Sequence, residues 1–403
     1  MESFNARAKH GFGGLLAAVL GVLSISAAHA QIEVLASLNN TNGGIPGGGL
    51  ILSADGSTLY GTTYSGGANA DGTVFSLPVT GGTPTTLATF NGSNGAYPLG
   101  ALTISGNTLY GTTQTGGANP GTVFSVPVTG GTPTTLATFN GTNGSDPYAG
   151  LTLIGSTLYG TTFNGGANNE GTVFSVPVAG GTPTTLASFN GSNGANPRAS
   201  LILSGNTLYG TTQNGGNIGT VFSLPVTGGT LTTLATFTGS NSLEPYASLT
   251  LSGNTLYGTS FHGGTSGGGA VFSLPVTGGP PTVLASFNVT NGDEPVSNLI
   301  IVDTTLYGTT EYGGADGDGT VFSVPITGGT PTVLDTFNGA NGTHPNGGLT
   351  LIDNTLYGIT EGGGAYGGGT VFAITVPEPS TWAMLGIGAL CLFIAGRKRL
   401  PRG

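Results

Sequence analysis

The chain has 403 residues, including 78 glycines, 23 prolines and one cysteine, and a formal net charge of −10 at pH 7. Between positions 31 and 375 it has 15 acidic residues and a single base, Arg198, so this part lacks the cations that bind nucleic-acid phosphates or an anionic membrane surface. The cysteine, Cys391, lies outside this part, which therefore has no disulfide and depends on a core and hydrogen bonds for its stability.

The first 30 residues have the three parts of a secretory signal peptide. Arg7 and Lys9 make the start positive, an apolar run follows at about 14–25, and Ala28 and Ala30 are the small residues of a cleavage site. A first transmembrane anchor is the alternative, but the run is short for a span of roughly 20 residues. We therefore predict a signal peptide at 1–30, removed after Ala30, and export through the inner membrane.

Seven internal repeats fill positions 31–375. Each contains the triplet LYG and, after it, the pair VF, and successive LYG tyrosines are 48 to 50 residues apart. These tyrosines are Tyr60, Tyr110, Tyr159, Tyr209, Tyr257, Tyr307 and Tyr357. The phenylalanines of the VF pairs are Phe75, Phe124, Phe174, Phe222, Phe272, Phe322 and Phe372.

Each repeat holds four strand-like segments. In the second repeat they are 101–104, 108–113, 122–128 and 134–139, rich in valine, threonine, leucine and aromatic residues and bounded by glycine, asparagine and proline. No segment has the apolar period of a helix. A four-stranded unit of about 50 residues, repeated, predicts the blades of a β-propeller.

The two ends of the array predict a closed ring. The last repeat stops at 370–375 without its fourth strand, and the missing strand, IEVLASL, precedes the first repeat at 32–38. One blade is then assembled from both ends, which removes the exposed edges of an open array. We predict an all-β fold, a seven-bladed propeller closed by the N-terminal strand. The alternative, a β-solenoid, would not need this offset.

The repeats resemble the GloVer-type tandem repeat family, which is built around the pattern LYGTT…GG…GTVF. The resemblance covers nearly all of 31–375. It implies a surface-displayed repeat protein and no particular activity.

The C-terminal segment 376–403 is a separate unit. Sixteen uncharged residues at 381–396 predict a transmembrane helix, although this length is marginal against the roughly 20 residues of a stable span. The basic residues after it predict a cytoplasmic tail. The residues that flank the helix are Pro377, Glu378 and Pro379 before it and Arg397, Lys398 and Arg399 after it.

This order of Pro-Glu-Pro, short helix and basic end resembles the PEP-CTERM sorting signal of Gram-negative bacteria, the substrate of exosortase. The resemblance implies transient membrane insertion through the helix, processing near Pro-Glu-Pro, and delivery to the cell envelope, the outer surface or the extracellular matrix, often alongside exopolysaccharide export. A plain membrane anchor is the alternative interpretation of the segment.

Candidate ligand-binding residues lie in the longer connections, which we expect on one rim of the ring, opposite the short turns such as SGNT and TGGTP. Each connection has one variable position in a repeated frame. After the LYGTT-like strands these positions are Tyr64, Gln114, Phe163, Gln213, Phe261, Glu311 and Glu361. After the loop prolines they are Gly47, Leu99, Tyr148, Arg198, Tyr246, Val296 and Asn346. Aromatic and amide groups suit sugars, so we hypothesise glycan or protein binding there; tolerated loop variation is the alternative.

Metal binding and catalysis have weaker signals. Asp316 and Asp318 in a DGDG turn predict at most one low-affinity calcium site, and no other cofactor is predicted. No motif of a hydrolase is present, but Glu311 and Glu361 on neighbouring blades have the chemistry of an acid–base pair. Ice binding would need a flat threonine array, which twisted blade strands do not predict.

The sequence thus predicts an exported repeat protein with a structural, adhesive or ligand-binding role. Its expected partners are an exosortase-type enzyme and either exopolysaccharide or a surface protein, with no nucleic acid. The alternative function is an extracellular enzyme acting on polysaccharide.

Overall fold

The computed structural model describes residues 30–116, 119–238 and 243–376. Within these ranges no helix is long and apolar enough to cross a membrane. The predicted C-terminal helix at 381–396 and the flanking motif residues lie outside the described residues. The predicted signal peptide also lies outside them, apart from Ala30.

The described part of the chain forms seven antiparallel sheets, the blades of a propeller. The first strand, β1 (Glu33–Ser37), belongs to the last blade. Blade 1 contains β2 (Gly44–Leu52), β3 (Thr58–Ser65), β4 (Thr73–Pro78) and β5 (Thr85–Thr89). Blade 2 contains β6 (Thr103–Ser105), β7 (Thr108–Thr113), β8 (Thr122–Pro127) and β9 (Thr134–Thr138). The strands predicted for the second repeat are therefore found within two residues of their predicted bounds.

Blades 3 and 4 repeat this order, and blades 5 to 7 divide the innermost strand in two. Blade 3 contains β10 (Thr152–Ile154), β11 (Thr157–Thr162), β12 (Thr172–Pro177) and β13 (Thr184–Ser188). Blade 4 contains β14 (Ile202–Ser204), β15 (Thr207–Thr212), β16 (Thr220–Pro225) and β17 (Thr232–Thr236). Blade 5 contains β18 (Leu243–Pro245), β19 (Thr250–Ser252), β20 (Thr255–His262), β21 (Ala270–Pro275) and β22 (Thr282–Ser286).

The last two blades complete the ring. Blade 6 contains β23 (Asp293–Pro295), β24 (Ile300–Val302), β25 (Thr305–Tyr312), β26 (Thr320–Pro325) and β27 (Thr332–Thr336). Blade 7 contains β28 (Thr343–Pro345), β29 (Thr350–Ile352), β30 (Thr355–Gly362) and β31 (Thr370–Thr375), and β1 is its outermost strand. Strand β1 pairs antiparallel with β31, with Glu33 opposite Ala373 and Ser37 opposite Thr370. The predicted seven-bladed propeller closed by its N-terminal strand is confirmed.

The core lies between blades, which explains the repeated aromatic residues. Phe90 at the end of the fourth strand of blade 1 packs edge-on against Phe124 of blade 2, with ring centroids 4.9 Å apart. The glycine of each LYG triplet makes room for the ring of its own blade: a Cβ on Gly111 would lie 2.6 Å from Cζ of Phe124. Seven such clusters join the blades of the described ring.

The two threonines of each LYGTT strand are interior residues, and their hydroxyls form hydrogen bonds except that of Thr309, which is buried without a partner. In blade 2, the Thr112 hydroxyl donates to the carbonyl of Ala149 in blade 3 at 2.9 Å, and Thr113 lies 2.6 Å from the Thr122 hydroxyl on the next strand. Thr112 is 2% exposed and Thr113 fully buried. These threonines therefore stabilise the ring and cannot present a surface to ice.

The two rims of the ring differ in their connections. The turn between the first two strands and the turn between the last two lie at the same end, because the Val128 amide donates to the Asn107 carbonyl at 3.0 Å. We call this end the turn rim and the opposite end, with the longer connections, the loop rim. The Val376 amide bonds the Asn354 carbonyl at 2.8 Å, so β31 ends at the turn rim.

Candidate functional site

The loop rim brings the predicted variable positions together in two concentric rings. The residues after the loop prolines, which we call the inner ring, lie at or shortly before the innermost strand of each blade, except Gly47, which lies within β2. All seven line a central cavity of about 110 Å³. The residues after the LYGTT-like strands form the outer ring. Below the inner ring the cavity wall consists largely of glycine, alanine and serine.

Inner and outer residues interlock between blades. The Tyr148 hydroxyl of blade 3 accepts a hydrogen bond of 2.7 Å from Nε2 of Gln114, which belongs to blade 2. Its ring meets Phe163 of its own blade edge-on, with centroids 5.2 Å apart. Within blade 5, Tyr246 instead stacks face to face on Phe261, with ring centroids 4.9 Å apart and an angle of 24° between the ring planes. The inner ring is therefore held by residues of two blades at once.

Arg198 lies between two inner-ring tyrosines. Its Cζ is 4.3 Å from the ring centroid of Tyr246 and 5.0 Å from that of Tyr148. Its Nη1 donates to the Tyr246 hydroxyl. Burial raises the pKa of both tyrosines above the ordinary value, and the positive charge of Arg198 partly opposes this. Both hydroxyls are therefore neutral at physiological pH, and the guanidinium is held by cation–π contacts rather than by an ion pair.

The opposite side of the loop rim is acidic. Burial, and to a lesser degree the charge of Glu361, raises the pKa of Glu311 to about 7. Nδ2 of Asn346 donates to the Glu361 carboxylate, which fixes that charge beside the cavity. The rim thus has an aromatic and basic side in blades 3 to 5 and an acidic side in blades 6 and 7.

A further ring of variable residues was missed in the sequence. The residue before every loop proline has a positive φ between 53° and 62°, although none is glycine. These residues are Ile45, Tyr97, Asp146, Asn196, Glu244, Glu294 and His344. Residues before proline are ordinarily extended, so the sequence predicted no special conformation. Such strain is concentrated at functional sites in proteins generally.

This third ring contacts the ends of the second strands. Tyr97 stacks on Tyr64 of blade 1, with centroids 4.8 Å apart. Oε1 of Glu294 lies 3.8 Å from Nδ1 of His262. The only available sequence signal was that this position, like its neighbour after the proline, differs in nearly every repeat.

The two predicted calcium ligands lie in one connection of blade 6. Asp316 and Asp318 lie in the loop between β25 and β26, and the Asp318 carbonyl accepts a bond of 3.0 Å from the His344 amide. In the described ranges, no three histidine, cysteine, aspartate or glutamate side chains come together as metal ligands.

Solved structures share this fold at low identity. An oligogalacturonate lyase in complex with manganese has a TM-score of 0.56 at 13% identity, over 87% of this chain and 94% of that chain. A puromycin-hydrolysing peptidase of Mycobacterium tuberculosis has a TM-score of 0.52 at 13% identity, over 82% of this chain and 52% of that chain. These likenesses show the fold alone. A comparison with curated protein sequences finds no match.

Two protein-family models match the chain. The Gloeobacter/Verrucomicrobia repeat matches three overlapping stretches, residues 21–218, 118–250 and 215–385. The PEP-CTERM protein-sorting motif matches residues 375–399. The chain therefore belongs to the Gloeobacter/Verrucomicrobia repeat family and carries a PEP-CTERM protein-sorting motif near its C-terminus.

Proposed function

We propose that this propeller is displayed on the cell envelope or in the extracellular matrix and binds an extracellular glycan on its loop rim. The sorting motif marks an exported, exosortase-processed protein. The observation that carries the binding role is the central cavity, which is surrounded by Tyr148, Tyr246 and Arg198. Binding sites for small ligands combine apolar walls with a few placed polar groups in this way.

The chemistry of the rim suits sugars more than a flat protein surface. Aromatic rings offer an apolar face for the C–H groups of a pyranose, while Gln114 and Asn346 offer amides for its hydroxyls. The side chains are also held by one another, so little side-chain entropy is lost on binding. An exopolysaccharide is the glycan that a matrix protein of this kind would meet.

Replacing Tyr148, Phe163 and Tyr246 together with alanine tests the proposal. We expect association with the native matrix polysaccharide to weaken by about tenfold or more, since buried aromatic anchors dominate binding energies. Tyr366→Ala is the matched control, because Tyr366 is 68% exposed and lies outside the cavity. Unchanged co-sedimentation of the triple variant with the polysaccharide would contradict the proposal.

An extracellular enzyme acting on polysaccharide is the second candidate. It is favoured by the raised pKa of Glu311, to which the neighbouring Glu361 contributes, because a general acid needs a raised pKa. The full chain should then release reducing sugar from a polysaccharide, and Glu311→Gln should abolish the release. Release that persists in this variant, or no release from any polysaccharide tested, rules out this role for Glu311.

Sorting has its own test, mass spectrometry of the mature protein from the native envelope and medium. We expect an N-terminus after Ala30 and a C-terminus near Pro377 to Pro379. An intact chain ending at Gly403 in the membrane fraction would instead indicate a simple anchored propeller.

A further inference from the structure

Arg198 is a cation without an acidic partner. It is the single basic residue between positions 31 and 375, and it lines the central cavity. No carboxylate of the described residues forms an ion pair with it; the ion pair found there joins His262 and Glu294. A guanidinium has five N–H donors, and one of them is used by the Tyr246 hydroxyl. Several donors therefore remain for a ligand.

The neighbouring hydroxyls are also left as donors. The oxygen of Tyr148 accepts from Gln114, and the oxygen of Tyr246 accepts from Arg198. A hydroxyl that accepts one hydrogen bond still has its proton to donate. Burial keeps both phenols protonated by raising their pKa. Tyr246 also interacts with Gln213, whose buried Oε1 is an acceptor without a partner. Arg198 and Tyr148 keep unused donors, and because the charged group among them is a donor, the ligand that complements this side of the cavity is an acceptor.

Carboxyl groups near the cavity oppose an anion, among them Asp146, which acts on Tyr148, and Glu244, which acts on Tyr246. The opposition from Glu311 is reduced near neutral pH. Glu311 is close enough to Arg198 for the two charges to interact. Its pKa of about 7 leaves the Glu311 carboxyl protonated about half of the time at neutral pH. A protonated carboxyl is itself a donor. Glu361 stays beside Asn346, which already donates to it.

From this arrangement we propose that the cavity recognises the carboxylate of a uronic acid, so that the glycan of the proposed function, on which this inference rests, is an acidic polysaccharide. The planar guanidinium of Arg198 meets the carboxylate through two parallel N–H···O bonds, the geometry that arginine favours. The Tyr148 hydroxyl supplies a third donor. A cavity of about 110 Å³ admits the carboxylated edge of one sugar rather than a whole polymer.

The test uses the full chain in detergent and a panel of uronate trimers, namely galacturonate, glucuronate and mannuronate, each paired with its neutral methyl ester. By titration calorimetry we expect at least one acid trimer to bind about tenfold or more tightly than its ester. Arg198→Gln should weaken the acid by about tenfold to a hundredfold, as expected for a charge-assisted hydrogen bond, and leave the ester unchanged.

Two conservative variants distinguish the loss of a ligand contact from a loss of folding. Arg198→Lys keeps the positive charge but loses the two parallel N–H donors of the guanidinium. It should weaken binding of the acid trimer less than Arg198→Gln does. Tyr148→Phe keeps the ring and removes one donor, and should weaken the acid alone. Esters that bind as tightly as acids, or neutral galactose and glucose trimers that bind while uronates do not, would overturn the inference and leave glycan binding intact. If no sugar of either kind binds, glycan binding itself is wrong.

Discussion

The hydroxyl of Thr350 in blade 7 donates a hydrogen bond of 2.5 Å to the carbonyl oxygen of Leu50 in blade 1, 300 residues away in sequence. The same bond joins Thr152 to Leu201 and Thr250 to Leu299 between consecutive blades, also at 2.5 Å. The closing interface therefore repeats a contact of the internal interfaces. Seven repeats close the ring without a special joint.

Closure should depend on the N-terminal strand. Leu38, just after β1, is fully buried, and its amide donates to the Gly369 carbonyl at 2.8 Å. We expect Leu38→Ala to lower the free energy of unfolding by about 2–5 kcal/mol, because it opens a cavity in the blade that joins the two ends. Urea unfolding measures this. Val34→Ala on the same strand is the control, since Val34 is 37% exposed and should change stability by about 0.5 kcal/mol or less; equal effects would contradict the prediction.

We expect that glycine is needed in the LYG triplet because a larger side chain would collide with its neighbour, and not because the backbone there has a positive φ. A Cβ on Gly160 would lie 2.7 Å from Cζ of the buried Phe174. Gly160→Ala is therefore expected to cost about 1–3 kcal/mol through overpacking. Adding Phe174→Leu should recover part of that loss, so that the double variant is more stable than the sum of the single effects predicts. If the effects of the two substitutions on thermal unfolding were strictly additive, the Phe174 ring would not be what excludes a side chain at position 160.

Glu311 should make stability fall as the pH rises. Its pKa is raised from 4.5 to about 7 in the folded protein, so between these values the folded state holds a proton that the unfolded state has lost. The unfolding free energy should therefore decrease from pH 5 to pH 8, by about 1–2 kcal/mol after allowance for the partial exposure of the group. The charged or titrating groups that act on it are Glu361, Glu294, Tyr312 and Arg198.

Glu311→Gln provides the comparison for this pH dependence. The variant has no carboxyl to ionise, so the difference in melting temperature between it and the unmodified protein should widen from pH 5 to pH 8. A constant difference over this range would mean that the Glu311 carboxyl titrates near its ordinary value.

Calcium should leave the protein unaffected. Because Asp316 and Asp318 lack a third acidic side chain within the described ranges, millimolar calcium should not shift the melting temperature. A rise that disappears in Asp318→Asn would contradict this expectation and show that calcium binds at Asp318.

The fold could be read from the sequence because its determinants are local. The spacing of the repeats predicted the number of blades, and the displaced strand at 32–38 predicted closure with 370–375. The turn residues within single hairpins predicted which connections lie on which rim. Strand bounds followed to within two residues in the second repeat.

The site could be predicted only as a set of positions. The bond between Gln114 and Tyr148 joins two blades, and the raised pKa of Glu311 depends on how deeply the rim buries it. Neither follows from spacing along the chain. The left-handed residue before each loop proline was missed because it opposes the ordinary preference of that position. The signal peptide, the C-terminal helix and the rim's ligand remain predictions.

The position of β31 also determines how the ring bears mechanical load. This strand runs to the turn rim with β30 on one side and β1 on the other, so it is an interior strand. A pull on the residues after Val376 acts along the strand and loads both hydrogen-bond ladders in shear, with all bonds sharing the force. A tether leaving from an edge strand at its free end would be peeled away one bond at a time. Because the N-terminal strand pairs with β31, a tether that leaves the ring after Val376 would be held by hydrogen bonds on both sides, and the loop rim would face away from the direction of pull.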